Sequence, residues 1–79
     1  MTDDAPARIL ILDDERDAAE LLGMAVTSAG HAPTVVTRAA AALAAVQEQE
    51  FDAVVTDLQL DDLDGIEVCS RILATKPDL

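Results

Sequence analysis

The sequence predicts an α/β fold in which a parallel sheet carries helices on both faces. Short apolar runs alternate with longer segments whose apolar residues recur at helical spacing, in the order β-α-β-α-β-α over 79 residues. Such alternation implies parallel strands joined by right-handed crossovers. With the first strand in the centre, the predicted strand order is 2-1-3. The first and second helices then cover opposite faces.

The three predicted strands differ in character. Residues 8–12 form a continuous apolar run that is typical of a central buried strand. Residues 31–36 contain Pro33, which favours an edge strand because proline donates no backbone hydrogen bond. The third strand is predicted over residues 51–56, and its run of small apolar residues suits a strand buried on both faces.

The helix boundaries follow from capping residues. Asp14 or a near neighbour is expected to cap the first helix, and Gly30 to end it. Thr37 is the expected cap of a second, alanine-rich helix over residues 39–49. A third helix is expected to open at Asp64 or Gly65.

Helical spacing also predicts which residues face the sheet. The predicted inward residues of the first helix are Ala18, Leu21, Leu22, Ala25, Val26 and Ala29. Those of the third helix are Ile66, Cys69, Ile72 and Leu73.

Composition bounds the size and class of the protein. A hydrophobic fraction of 51% and a charged fraction of 27% exclude a disordered polymer. The chain is long enough for one small domain, predicted over residues 8–79, after a flexible leader of residues 1–7. Phe51 is the only aromatic residue, so the core must be aliphatic.

The net charge of −11 restricts the possible partners. Direct binding to nucleic acid or to an anionic membrane is not expected, because phosphate groups repel such a surface. No apolar run reaches membrane-spanning length, and the N-terminus does not have the pattern of a signal peptide. A single cysteine, Cys69, fits a reducing compartment. We therefore expect a cytoplasmic protein.

Aspartates follow two of the predicted strands. Asp13 and Asp14 end the first and Asp57 ends the third, and the carboxyl ends of neighbouring parallel strands are where such sheets bind ligands. Three converging carboxylates repel one another, and a hard divalent cation such as Mg²⁺ removes that penalty. A carboxylate is also a possible nucleophile towards phosphorus.

Simpler interpretations exist for each acid. Asp14 taken singly is also a good helix cap, and Asp57 a good turn former. Their pairing across two strands favours the metal site. The later acids of the loop, Asp61, Asp62 and Asp64, are more typical of a solvated turn. His31 follows a helix-ending glycine and is expected at the surface, while Cys69 is expected to fill the core.

Three motifs together resemble the receiver domain of two-component response regulators. They are the run ILILDDE over residues 9–15, the run FDAVVTDLQL over residues 51–60, and LDG over residues 63–65 with a helix behind it. The resemblance covers residues 8–79, and residues 51–65 look most like the nitrogen-regulator type of transcriptional regulator. It implies a flavodoxin-like fold, with five parallel strands in the order 2-1-3-4-5, of which this sequence supplies the first three.

The resemblance also implies roles for individual residues. Asp57 would accept a phosphoryl group from a phosphohistidine on a sensor histidine kinase. Asp14 and Asp57 would bind Mg²⁺ directly, Asp13 would assist through water, and the backbone carbonyl of Gln59 would complete the protein ligands. The module would regulate transcription through an output domain outside this sequence. It would act as a phospho-acceptor, with at most slow self-phosphorylation and dephosphorylation, and not as an enzyme.

This sequence departs from the family pattern in two ways. Asp61 stands where the family usually has proline, which alters the charge of the loop and removes no reactive group. The family's switch Ser or Thr and its phosphate-binding Lys lie on the fourth and fifth strands, so neither role is assigned here. An exposed edge of the third strand would then favour pairing with a second copy or an exchange of elements.

Two other functions remain open at this point. The chain could be a non-phosphorylated receiver that serves as a dimerisation or interaction module. It could also be a metal-dependent phosphatase, which is disfavoured because Gln59 stands where such enzymes carry a second acid.

Overall fold

Three strands and three helices alternate along residues 6–57 and 65–75, the parts of the chain that the computed structural model describes. The strands are β1 (Arg8–Leu12), β2 (Ala32–Val36) and β3 (Ala53–Thr56). The helices are α1 (Arg16–Ser28), α2 (Ala39–Glu48) and α3 (Gly65–Thr75). The predicted leader falls largely outside these ranges.

The three strands form one parallel sheet in the order β2-β1-β3, as predicted. β1 lies in the centre, where Leu10 pairs with Thr34 of β2 and with Val54 of β3. β2 is an edge strand, which accommodates Pro33.

Alternating side chains of β1 divide the core into two layers. Leu10 and Leu12 are 0% and 1% exposed and pack in a cluster with residues of α2 and α3. Ile11 points to the opposite face, where it is also fully buried and where α1 contacts β1 and β2. The prediction that the first two helices cover opposite faces is confirmed. The buried members of the larger layer are Leu10, Leu12, Ala39, Ala42, Ala45, Val46, Val68 and Ile72.

The inward face of α1 differs from the predicted one. Its buried residues are Ala19 and Gly23, whereas Leu21 is 66% and Leu22 39% exposed. A Cβ atom at Gly23 would lie 3.1 Å from Cγ2 of Val35, so the helix approaches the sheet through its smallest residues. Hydrophobicity alone could not identify this face, because close approach favours small side chains over large ones. Of the other predicted inward residues, Ala18 and Val26 are half-buried, and Ala25 and Ala29 are exposed.

Both ends of α1 have well-defined caps. Glu15, a neighbour of the expected Asp14, is the N-cap, and its side chain accepts a hydrogen bond from the backbone N–H of Ala18. At the other end Gly30 adopts φ 90° and donates to the carbonyl of Thr27, while His31 donates to that of Val26. These two bonds complete a Schellman motif, which requires the left-handed backbone that glycine adopts without strain.

The cap predicted for α2 is wrong. Arg38, not Thr37, occupies the N-cap position, and its side chain makes no capping hydrogen bond. The helix begins one residue later than a Thr37 cap requires, so that hydroxyl is misplaced for the first helical N–H groups. The helix ends at Glu48, and Gln49 is its C-cap.

The strand β3 is shorter than predicted. Phe51 and Asp52 belong to the preceding loop, where Asp52 donates its N–H to the carbonyl of Arg8 at 2.7 Å. The Asp52 carboxylate accepts the N–H of Arg8 at 2.8 Å, which ties the loop to the start of β1. Phe51 packs against the core cluster from the loop.

Only one face of β3 is covered by the described residues. Val54 is packed against the cluster formed with α2 and α3, whereas Val55, which points to the α1 side, is 43% exposed. The expectation of burial on both faces is therefore wrong for this strand within residues 6–57 and 65–75. The main contacts of α1 with the sheet are to β2 and β1.

The inward face of α3 also differs from the prediction. Its buried residues are Gly65, Val68 and Ile72, of which only Ile72 was predicted among the inward residues. Ile66 is 68% and Leu73 50% exposed, and Cys69 is half-buried. Within the described parts of the chain, no helix combines the length and the apolar character needed to cross a membrane.

Candidate functional site

The acidic residues meet because two neighbouring strands end at the same edge of the sheet. Leu12 and Thr56 are partners in the register of β1 and β3, so the next residues along the chain, Asp13 and Asp57, emerge side by side. The backbone N–H of Asp57 donates to the carbonyl of Leu12 at 3.0 Å. The N–H of Asp13 donates to the carbonyl of Val36 at 3.2 Å, which ties this edge to β2 as well.

The side chains of Asp13, Asp14 and Asp57 converge. One carboxylate oxygen from each lies within 4.8 Å of the others, and none of the three residues is buried. The sequence predicted this convergence, and the structure brings all three acids together. Three negative charges at such separations repel one another by about 1 kcal/mol per pair in water, and by more where solvent is partly excluded.

A divalent cation with hard ligands fits this cluster. Mg²⁺ prefers oxygen ligands, binds to one or two carboxylates and retains several water molecules. The cluster supplies carboxylate oxygens at an accessible edge, and no nitrogen or sulfur ligand of the described residues belongs to it. Asp13, Asp14 and Asp57 are therefore the residues that could hold such an ion.

Local hydrogen bonds orient Asp13. Its Oδ1 accepts the backbone N–H of Glu15 at 3.0 Å, and Glu15 in turn caps α1 by accepting the N–H of Ala18 at 3.0 Å. The Glu15 carboxylate is thus engaged at the helix N-terminus. These bonds connect Asp13 of the acidic cluster to the first turn of α1.

Sequence reasoning missed a second local contact, at Thr56. The hydroxyl Oγ1 of this residue donates to the backbone carbonyl of Asp57 at 2.9 Å, and the bond is partly buried. The signal was present, since a residue with a short hydroxyl side chain directly precedes the acid at the strand end.

The remaining predicted site residues lie outside the described parts of the chain. Gln59, expected to contribute its backbone carbonyl, belongs to the segment 58–64, as do Asp61, Asp62 and Asp64.

The amino-terminal end of β1, opposite the carboxylates, is held by hydrogen bonds to other parts of the chain. His31 is not simply a surface residue, because its Nδ1 accepts the backbone N–H of Ala7 at 2.9 Å. Arg8 donates from its guanidinium to Oε1 of Gln49 at 3.0 Å. Both contacts hold the start of β1 in place, away from the carboxylates at the other end of the strand.

Known proteins share both the sequence pattern and the fold. Residues 9–79 match the family described as "Response regulator receiver domain". The chain is 43% identical over 65 residues to the transcriptional regulatory protein TcrA of Mycobacterium tuberculosis, and 30% identical over 74 residues to the transcriptional regulatory protein GlrR of Escherichia coli. It spans only 26% of TcrA and 17% of GlrR.

Solved structures agree with this assignment. The response regulator TrrA of Thermotoga maritima, determined in complex with Mg²⁺ and BeF, is 29% identical and superposes with a TM-score of 0.87. That match covers 91% of this chain and 63% of TrrA. The CheY-like receiver domain of Methylobacillus flagellatus is also 29% identical, with a TM-score of 0.85, over 87% of this chain and 58% of the other. The chain therefore belongs to the response regulator receiver domain family.

Proposed function

We propose that this chain is a phosphorelay module that accepts a phosphoryl group on Asp57 in the presence of Mg²⁺. The observation that carries the proposal is the convergence of three carboxylates from two neighbouring strands within 4.8 Å. The Mg²⁺ in the complex of the related TrrA adds support. The donor we propose is a phosphohistidine of a sensor histidine kinase, as the family resemblance implies.

The proposed transfer follows from the position of Asp57. One carboxylate oxygen of Asp57 attacks phosphorus, and the new O–P bond forms as the N–P bond of the phosphohistidine breaks. The departing imidazole keeps the electron pair and takes up a proton, and the product is an acyl phosphate. When bound, Mg²⁺ would neutralise charge on the phosphoryl oxygens during transfer.

The other acids have distinct parts in this proposal. As the family resemblance implies, Asp14 would bind the ion directly, Asp13 would assist through water, and the backbone carbonyl of Gln59 would supply a further ligand. The hydrogen bond from the Glu15 N–H to Oδ1 of Asp13 holds this carboxylate at the edge of the cluster. The module acts as a regulatory acceptor, with at most slow self-phosphorylation and dephosphorylation.

The output we propose is control of transcription in the cytoplasm. TcrA and GlrR are both transcriptional regulatory proteins, and this chain matches only a minor part of each. We propose that an output region outside this chain exerts that control. The charge of −11 argues against direct nucleic-acid binding by these 79 residues.

Incubation of the chain with Mg²⁺ and a small phosphodonor tests the acceptor role. Intact-mass measurement should show one added phosphoryl group, which is lost in Asp57→Asn and on chelation of Mg²⁺. Asp17→Asn is the matched control, because Asp17 is an exposed acid in the first turn of α1 and should leave the adduct unchanged. Absence of the adduct in the parent chain would contradict the proposal.

A second candidate function is assembly without phosphorylation. Within residues 6–57 and 65–75, β3 pairs with β1 alone, and Val55 on it is 43% exposed. Such an edge is a template for pairing with a second copy or for an exchange of elements. Molecular mass in solution, measured at several concentrations, should then rise with concentration in the parent chain and not in Val55→Lys. A concentration-independent monomer would exclude this candidate.

A further inference from the structure

The hydroxyl of Thr56 completes the hydrogen bonding of the Asp57 backbone. The N–H of Asp57 donates to Leu12 at 3.0 Å, and its carbonyl accepts from Oγ1 of Thr56 at 2.9 Å. The backbone N–H of Asp57 is thus bonded to the neighbouring strand, and its backbone carbonyl is bonded to the side chain of the preceding residue. These two bonds restrain the backbone torsions of Asp57, the residue from which the carboxylate projects.

This restraint acts where the chain leaves regular structure. β3 ends at Thr56, and the register with β1 ends at the same residue. At Asp57, the last described residue before position 65, the sheet supplies the Leu12 carbonyl that accepts the backbone N–H. Rotation about ψ of Asp57 would move its carbonyl, and the hydrogen bond from the Thr56 hydroxyl opposes this rotation.

Repulsion among the three carboxylates explains why a restraint on the Asp57 backbone should matter for Mg²⁺ binding. The carboxylates of Asp13, Asp14 and Asp57 repel one another when no cation is bound, which favours separation of the side chains. A backbone held by hydrogen bonds resists this separation, so the ligands require less rearrangement when the ion arrives. Preorganisation of this kind strengthens binding because the ordering cost is met during folding.

We propose that Thr56 is a positioning residue that preorganises Asp57 for Mg²⁺ through the Oγ1-to-carbonyl hydrogen bond. The inference rests on the proposed function, since it assumes that the three acids bind Mg²⁺. Thr56 itself contacts neither the ion nor the phosphoryl group in this role.

Isosteric substitution separates this role from simple packing. Thr56→Val keeps the branched shape and removes the hydroxyl, so the Mg²⁺ dissociation constant should rise roughly threefold to tenfold, the equivalent of one ordinary hydrogen bond. Thr56→Ser retains the hydroxyl and should restore affinity to within about twofold of the parent chain. Affinity is measured by calorimetric titration of the 79-residue chain with Mg²⁺ alone.

Thr34→Val is the matched control. Thr34 is half-buried in β2, the strand on the other side of β1, and it is paired with Leu10 as Thr56 is paired with Leu12. Thr34→Val makes the same chemical change as Thr56→Val. Thr34 also lies on the same face of the sheet as Thr56, but away from the carboxylates. Its Mg²⁺ affinity should equal that of the parent chain, even if its stability to urea falls.

The outcomes distinguish the two proposals. A parent chain that binds no Mg²⁺ overturns the proposed function and, with it, this inference. A parent chain that binds Mg²⁺ with the same affinity as Thr56→Val overturns the inference alone. Should Thr56→Val fail to fold, Thr56→Ser and Thr56→Ala are compared instead, because they differ by one oxygen atom, and equal affinities in that pair also overturn the inference.

Discussion

Asp57 donates its backbone N–H to the carbonyl of Leu12, the last residue of the central strand, at 3.0 Å. This bond carries the pairing of β1 and β3 one residue beyond the last paired positions, Leu12 and Thr56. It places Asp57 beside the pair of acids that follows Leu12. Residues more than 40 positions apart in the sequence thereby share one edge of the sheet.

Removal of one acid should change how stability depends on Mg²⁺. Without the ion, Asp57→Asn relieves repulsion with Asp13 and Asp14 and should leave the fold as stable as the parent chain or more stable. Millimolar Mg²⁺ should raise the Tm of the parent chain, because the ion binds the folded state, and should raise that of the variant much less. Thermal unfolding with and without MgCl₂ measures both effects. A parent Tm that is insensitive to Mg²⁺ would contradict a metal site.

The N-cap of α1 should be separable from metal binding. Glu15→Ala removes the acceptor of the Ala18 N–H and should lower the free energy of unfolding by about 1 kcal/mol. Mg²⁺ affinity should change little, because the Glu15 N–H that orients Asp13 remains. Glu20→Ala, at an exposed position in a 3.7 Å ion pair with Arg16, is the control and should cost less. A large loss of Mg²⁺ affinity in Glu15→Ala would show that its carboxylate belongs to the site.

Close packing at Gly23 should not tolerate a branched side chain. A Cβ atom there would already lie 3.1 Å from Val35, so Gly23→Val should destabilise the fold by roughly 1–3 kcal/mol through overpacking. Ala25→Val, at an exposed position of the same helix, should cost well under 1 kcal/mol. Urea unfolding followed by circular dichroism measures the difference. Equal stability of the two variants would mean that α1 does not approach the sheet through Gly23.

Two isoleucines of α3 should differ sharply in their contribution to stability. Ile72 is 3% exposed within the core cluster, and Ile72→Ala should cost about 2–5 kcal/mol by loss of burial and creation of a cavity. Ile66 is 68% exposed, and Ile66→Ala should change stability by about 0.5 kcal/mol or less. Both variants replace isoleucine with alanine in the same helix, so their denaturant midpoints can be compared directly. Similar losses of stability in the two variants would contradict the assignment of Ile72, and not Ile66, to the inward face of α3.

The predicted loss for Ile72→Ala is large compared with the net free energy of unfolding of a domain of this size. Domains of this size have few kcal/mol of net stability, so Ile72→Ala should unfold a substantial fraction of the chain at room temperature. Mg²⁺ should partly restore folding in that variant, since it binds the folded state and leaves the substituted core unchanged. Circular dichroism with and without the ion checks this expectation.

The order of the elements and the meeting of the acids could both be predicted from the sequence. Local residue types are enough to predict three features of the fold. These are the central strand, the edge strand with Pro33 and the helix end at Gly30. Parallel pairing then brings Asp13, Asp14 and Asp57 to one edge by topology alone. These predictions needed no knowledge of how any side chain packs.

Only the tertiary structure decided which residues face inward and which bonds support the site. α1 turns Ala19 and Gly23 to the sheet instead of its leucines, because a close helix–sheet contact is limited by side-chain volume, which hydrophobic periodicity does not describe. Thr37 fails as a cap and Thr56 bonds to Asp57, because each hydroxyl depends on backbone angles that packing determines. The sequence by itself determined the positions of the charges along the strands, and the tertiary structure determined the hydrogen bonds that orient Asp13 and Asp57, because those bonds depend on strand pairing and on local backbone angles.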